Sequence, residues 1–176
     1  RSSAAVPLSV IDDTLDEATE TLIVEINGIA NGIETGSQKV VATIADNDSA
    51  PVVSISSDQA TIDENSGIAI LTISLDAPSG QDVTMLLEAS GTAIAETDYR
   101  KAEQITIPAG STTATAIVVA LQDTTDEVDE VFLVAINGLV NATKSATQQS
   151  VEIAIMDDDA APSVSVADVS VDESAG

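Results

Sequence analysis

Apolar and polar residues alternate in short runs along most of the chain. Leu22, Val24 and Ile26 alternate with Ile23 and Glu25, and Val40, Ala42 and Ile44 follow the same period of two. Ala69, Leu71, Ile73 and Leu75 do so again, as do Val151, Ile153 and Ile155. This is the spacing of half-buried β-strands. No period of 3.6 is sustained and β-branched residues dominate, which argues against helices. Turn-forming groups punctuate the runs: Asn65-Ser66-Gly67, Ala77-Pro78-Ser79-Gly80, Gly91-Thr92-Ala93, Pro108-Ala109-Gly110 and Asn137-Gly138. Between residues 51 and 161 the pattern predicts strands at 52–62 (broken near Ser57-Asp58), 68–75, 82–89, 103–107, 113–121, 130–137 and 149–156. The runs at 82–89 and 113–121 are apolar on both faces, which suits central strands. An all-β, antiparallel sandwich of about seven strands follows.

The pattern also repeats. Asp12-Asp13-Thr14-Leu15-Asp16-Glu17 leads into Leu22–Gly28 as Gln122-Asp123-Thr124-Thr125-Asp126-Glu127 leads into Phe132–Gly138, 110 positions later. Asp46-Asn47-Asp48 follows the first copy and Asp157-Asp158-Asp159 the second. Val164-Ser165-Val166 matches Val53-Ser54-Ile55, so the pattern starts a third time. The expected organisation is a tandem array: residues 1–50 as the C-terminal half of one repeat, 51–161 as a complete repeat, and 162–176 as the first strand of the next.

Composition narrows the chemistry. The chain has no Cys and no His, which removes thiol nucleophiles, disulfides, histidine-bound zinc and Ser-His-Asp catalysis. Thirty acids face five bases, for a net charge of -25. Such a surface repels phosphate backbones and anionic lipid, so no nucleic-acid partner and no direct membrane contact are expected. Paired carboxylates can also hydrolyse glycosides, but that reaction usually sits in a groove lined by aromatic platforms. Tyr99 and Phe132 are the only aromatics, and no enzymatic activity is expected.

In a sandwich whose strands alternate in direction, the first, third and fifth connections lie at one pole, where the seventh strand also ends. Glu64, Asp98, Asp123 and Glu127 stand in those connections, and Asp157, Asp158 and Asp159 follow the last strand. The opposite connections, 77–81, 108–112 and 137–148, contain no acid. Two unit charges 4 Å apart repel by about 4 kcal/mol at an effective dielectric of 20, and only Arg100 and Lys101 are close in sequence. Asp126, Asp129 and Glu130 read as surface charges. A hard cation with roughly six to eight oxygen ligands suits the cluster. Ca2+ is therefore the expected cofactor, with magnesium preferring more water and transition metals preferring nitrogen or sulfur. The strand that ends in this cluster leads within a few residues to Pro162, which puts the ions at the joint to a neighbouring repeat of the same chain.

The residues also resemble the Calx-beta domain family. The likeness rests on Gly91-Thr92-Ala93 with Asp98-Tyr99, on Ile107-Pro108-Ala109-Gly110, and on Asp123, Glu127 and Glu130-Val131-Phe132. Asp157-Asp158-Asp159 and the Glu64-Asn65-Ser66-Gly67 turn complete it. The resemblance implies an immunoglobulin-like antiparallel β-sandwich with calcium at one end, and ligands at Glu64, Asp98, Asp123, Glu127, Asp157, Asp158 and Asp159. The family's acid before Asp123 is replaced by Gln122, whereas the first copy keeps the pair as Asp12-Asp13 with Glu17, followed by Asp46 and Asp48. The expected role is a calcium-binding structural repeat that rigidifies a secreted or cell-surface protein. The alternatives are a calcium-dependent adhesive module that takes a host or cell-surface ligand, and a calcium-sensing regulatory domain.

Overall fold

The computed structural model describes residues 4–173, so the two ends of the expected partial repeats, 1–3 and 174–176, lie outside the described residues. The strands are β1 (Glu20–Glu25), β2 (Lys39–Ile44), β3 (Val52–Ser57), β4 (Thr61–Asp63), β5 (Ile68–Leu75) and β6 (Val83–Gly91). They continue as β7 (Tyr99–Lys101), β8 (Gln104–Ile107), β9 (Thr113–Ala120), β10 (Glu130–Val140), β11 (Thr143–Lys144) and β12 (Ser150–Met156). Two five-stranded sheets form the sandwich, in the orders β4-β12-β10-β6-β8 and β11-β3-β5-β9-β7. β6 and β9, apolar on both faces, are interior to their sheets.

Alternation decides which side chains meet between the sheets. Leu71 and Ile73 of β5, Met85 and Leu87 of β6, Phe132, Val134 and Ile136 of β10, and Ile153 of β12 are all fully buried. The two aromatics stack on each other, with ring centroids 4.1 Å apart and planes 3° from parallel. Phe132 is the largest fully buried side chain among the described residues, so truncating it would leave a large cavity in the core. Phe132→Ala should therefore cost about 3–5 kcal/mol of stability. Tyr99 is the one tyrosine and there is no tryptophan, so its fluorescence in a denaturant titration reads the change directly. A loss under about 1 kcal/mol would show that the stack is not part of the core.

The predicted first strand is broken where expected. After Ser57 the chain changes sheet: β3 pairs antiparallel with β5, while β4 pairs parallel with β12. The corner is tied by Asp58, whose Oδ1 accepts the Ile70 N–H at 2.6 Å. A second change of sheet separates β7, on β9, from β8, on β6. Asn137-Gly138 is not the turn its composition suggests. Gly138 lies at φ 55, a conformation glycine adopts without strain, and the register of β10 against β6 shifts there, between Asn137 and Val140. The bulge carries β10 on to Val140, and the turn comes at Asn141.

β1 and β2 form a separate two-stranded ribbon. Its six pairs, from Glu20↔Ile44 to Glu25↔Lys39, reproduce the pairs of β10 with β12, from Glu130↔Ile155 to Ala135↔Ser150. The self-similarity of the sequence thus extends to the ladder register. The segment 162–173, expected to begin a strand, forms none: Val164, Val166, Val169 and Val171 are all exposed. The matching strand β3 depends on β5 for its ladder, and no described strand forms a ladder with residues 162–173.

Candidate metal centre

The acidic pole is assembled by backbone hydrogen bonds that cross between connections. β4 ends in a tight turn in which Gly67 N–H donates to Asp63 C=O at 2.9 Å. A Cβ on Gly67 would lie 2.3 Å from that oxygen, so only glycine closes the turn. The turn places Glu64 inward. Its N–H donates to Met156 C=O at the end of β12, and its Oε1 accepts the Asp123 N–H at 3.0 Å. Asp98 is fixed from both sides. Its Oδ2 accepts the Ile94 N–H at 2.5 Å, and its C=O accepts the Leu121 N–H at 2.9 Å. Asp123 Oδ1 accepts the Thr125 N–H at 2.7 Å, which shapes the β9–β10 connection.

These contacts gather the acids into two groups. Carboxylate oxygens of Glu64, Asp123 and Asp159 lie within 4.8 Å of one another, and those of Asp98, Glu127 and Glu130 do the same. Asp157 raises the proton affinity of both Glu64 and Glu127, so its charge acts on both groups. Asp158 is exposed and belongs to neither. Glu130, read from the sequence as a surface charge, stands in the second group. The available signal was its recurrence: Glu20 occupies the same place 110 positions earlier.

Among the described residues, the bases nearest in sequence to the pole are engaged elsewhere. Arg100 pairs with Glu96 at 2.9 Å, and Lys101 pairs with Glu103 at 3.0 Å while donating to Leu87 C=O. The proton affinities respond. Burial pushes the Glu130 carboxyl up to about 7, helped by a hydrogen bond with Asp98 and by the charges of Asp98, Glu127 and Glu64. Burial, then Asp123, Asp98 and Asp157, raise Glu127. Burial and the neighbouring Asp158 and Asp157 raise Asp159. The Asp123 N–H pulls Glu64 down, but burial and the charges of Asp123, Asp157 and Asp159 together leave it raised.

Two observations favour a cation over simple protonation. Asp157 Oδ1 and Asp159 Oδ2 are buried with no hydrogen-bond partner, which is costly unless something else satisfies them. The donor set is all oxygen and anionic, the chemistry of a hard divalent ion. At the opposite pole the acids are spent on backbone donors instead. Asp76 accepts the Val52 N–H at 2.7 Å, and Asp82 accepts the Ala109 N–H at 2.9 Å. If Glu130 is a ligand, Glu130→Gln should raise the metal-free melting temperature, because it removes a like charge. The same variant should weaken calcium binding by about tenfold, since affinity follows ligand charge. Unchanged affinity would return Glu130 to the surface class.

The N-terminal ribbon carries a matching set. Asp12, Asp13, Glu17, Glu20, Asp46 and Asp48 line a cavity of about 60 Å³. Asp13 Oδ1 accepts the Leu15 N–H at 2.8 Å, the same local turn as Asp123 with Thr125. Burial, then Asp13, Glu20, Asp46 and Asp48, raise Glu17. Burial, then Asp46, Asp12, Asp13 and Asp16, raise Asp48. Asn47 donates to Asp12 at 3.4 Å rather than adding a charge.

The profile of the Calx-beta domain matches residues 46–161. The apo form of the Calx CBD1 domain superposes with a TM-score of 0.51 at 21% identity, over 61% of this chain and 99% of that one. CBD12 from CALX1.2 gives 0.53 at 21%, over 61% of this chain and 44% of that one. The calcium binding domain CBD12 of CALX1.1 gives 0.51 at 24%, over 60% and 44%. At these identities the likeness is one of fold, and the chain spans less than half of either CBD12 chain. No curated protein matches.

Proposed function

Because the chain belongs to the Calx-beta domain family, we propose that it is a calcium-binding structural repeat that rigidifies a long secreted or cell-surface protein. The observation that carries this is the pair of buried, unpartnered oxygens on Asp157 and Asp159, set among two groups of acids at one pole. Among its structural neighbours is one described as a calcium binding domain. In this chain Glu64, Asp123 and Asp159 would hold one ion and Asp98, Glu127 and Glu130 a second, with Asp157 between them. Bound calcium supplies positive charge and satisfies the orphaned oxygens. The protein's own part is to fix Glu64 by backbone bonds to β12 and Asp98 by bonds to the β9–β10 connection. With the acids neutralised, residues 157–159 become ordered against the pole, and the segment leading to Pro162 inherits that order. The role is non-enzymatic.

Isothermal calorimetry with calcium tests this reading. A dissociation constant on the order of 10⁻⁴–10⁻³ M is expected for an extracellular spacer, with magnesium far weaker. Values near 10⁻⁷–10⁻⁵ M would instead mark a calcium sensor. No heat at millimolar calcium would sink both.

A further inference from the structure

Asp16 stands among the acids of the N-terminal ribbon, yet its bonds go elsewhere. Its C=O accepts the Gly80 N–H at 2.9 Å and the Ser79 hydroxyl at 3.3 Å, and its Oδ2 lies 3.4 Å from the same hydroxyl. Asp16 and Ser79 form an isolated parallel β-bridge. Glu17 lies over Gly80 so closely that a Cβ there would sit 2.8 Å from its Cγ. Ser79 is only 1% exposed although it belongs to a surface turn. The acidic end of the ribbon thus rests on the β5–β6 turn, at the acid-poor pole of the sandwich.

The turn side of this contact is shaped independently of it. Ser79 C=O accepts the Gly110 N–H at 2.8 Å and Ser79 Oγ accepts the Gln81 N–H at 3.0 Å, so the turn is held from within its own domain. The connecting chain is pinned at Val52, which exchanges hydrogen bonds with Asp76, three residues before Ser79.

Most of the acidic side recurs, with Gln122 in the place of Asp12 and Asp158 in that of Asn47. Asp126 stands between Asp123 and Glu127 as Asp16 stands between Asp13 and Glu17. The turns at Asp13 and Asp123 are the same. Asp157–Pro162 has the length of Asp46–Pro51, with acid at both ends of the triplet and the same Ala-Pro close. Asp126 is exposed and meets no such turn among the described residues. We infer that Asp126 and Glu127 form a docking surface for the Ser-Gly turn of another copy of this repeat, and that the Asp16–Ser79 contact is the same joint in its occupied form. The partner supplies one hydroxyl, one glycine N–H and no side chain where Glu127 passes. This rests on the tandem-repeat reading of the proposed function, and it adds the residues that meet.

Disulfide trapping tests it, since the chain has no cysteine of its own. Facing residues of adjacent strands lie about 4.8 Å apart, within disulfide range. Asp16→Cys with Ser79→Cys in the whole chain should cross-link under mild oxidation. The chain extended after Ala161 by a second copy of 51–161, with Asp126→Cys in the first copy and Ser79→Cys in the added one, should cross-link to within about twofold of that yield. Moving the second cysteine to Ser145 of the added copy should lower the yield about tenfold. Trapping at 16–79 alone overturns the recurrence, and trapping at neither overturns the joint. In the unsubstituted chain the Gly80 amide should exchange at least about tenfold more slowly than that of Gly36, and equal rates would overturn the contact without any cysteine variant. Calorimetry on the same proteins separates the two ideas. Calcium binding without trapping sinks only the docking surface, and trapping without calcium binding sinks only the metal reading.

Discussion

Saturating calcium at pH 7.5 should raise the thermal midpoint by about 15 °C over the same protein in chelator. At a concentration of roughly 100 times the dissociation constant, each ion adds about 2.7 kcal/mol by mass action. Two ions on the complete domain give about 5 kcal/mol, and a domain of this size shifts by roughly 3–4 °C for each. Circular dichroism at strand wavelengths reads the transition. Asp123→Asn with Asp159→Asn should remove about half of the shift, because it strips two of three carboxylates from the one group that includes buried Glu64 and leaves the other intact. Asp158→Asn should leave it nearly intact, since Asp158 is exposed and outside both groups. An unchanged midpoint in the unsubstituted protein would falsify the calcium reading.

The response of stability to pH should reverse sign when calcium is added. Glu64, Glu127, Glu130 and Asp159 all bind protons more tightly in the fold than at their ordinary values of 4.5 or 3.8. The folded state therefore holds extra protons between those values and the raised ones, of which that of Glu130 is about 7. The associated stability is fully present below about pH 4 and is lost as the pH rises through 7. In chelator the midpoint should fall by several degrees between pH 5.5 and pH 7.5. In calcium it should rise over the same interval, because protons and the ion compete for the same oxygens. A midpoint that falls with pH in both conditions would mean that the ion does not use these carboxylates.

Alternation made the strands legible because each sheet buries one face, so Leu71 and Ile73 could point only inward. Parity made the pole legible because odd-numbered connections share an end. Three things escaped. The changes of sheet at Ser57–Asp58 and between β7 and β8 depend on hydrogen bonds to distant strands, of which only the first left a local break. Gly138 reads as a turn by composition, and the neighbouring β6 makes it a bulge. Glu130 looked like one more surface acid because its value lies in the approach of Asp98, about thirty residues away in sequence, whose position no local pattern fixes. Asp16 is the converse case. It shares the spacing of the proposed ligands, but its partner is a turn more than sixty positions later.

The parallel pairing of β4 with β12 has a mechanical consequence. The chain enters the sandwich at Val52, beside Asp76, and leaves at Asp157, at the other end. A pull on the two ends therefore runs along the strands. Thr61, Ile62 and Asp63 face Ala154, Ile155 and Met156, so this tension loads their hydrogen bonds together, in shear, instead of unzipping them one by one. Glu64 and Asp159 lie just past the ends of these two strands. A cation shared between them would act as a rivet at the point of greatest stress, and its removal would lower the force at which the domain yields before it altered the fold at rest.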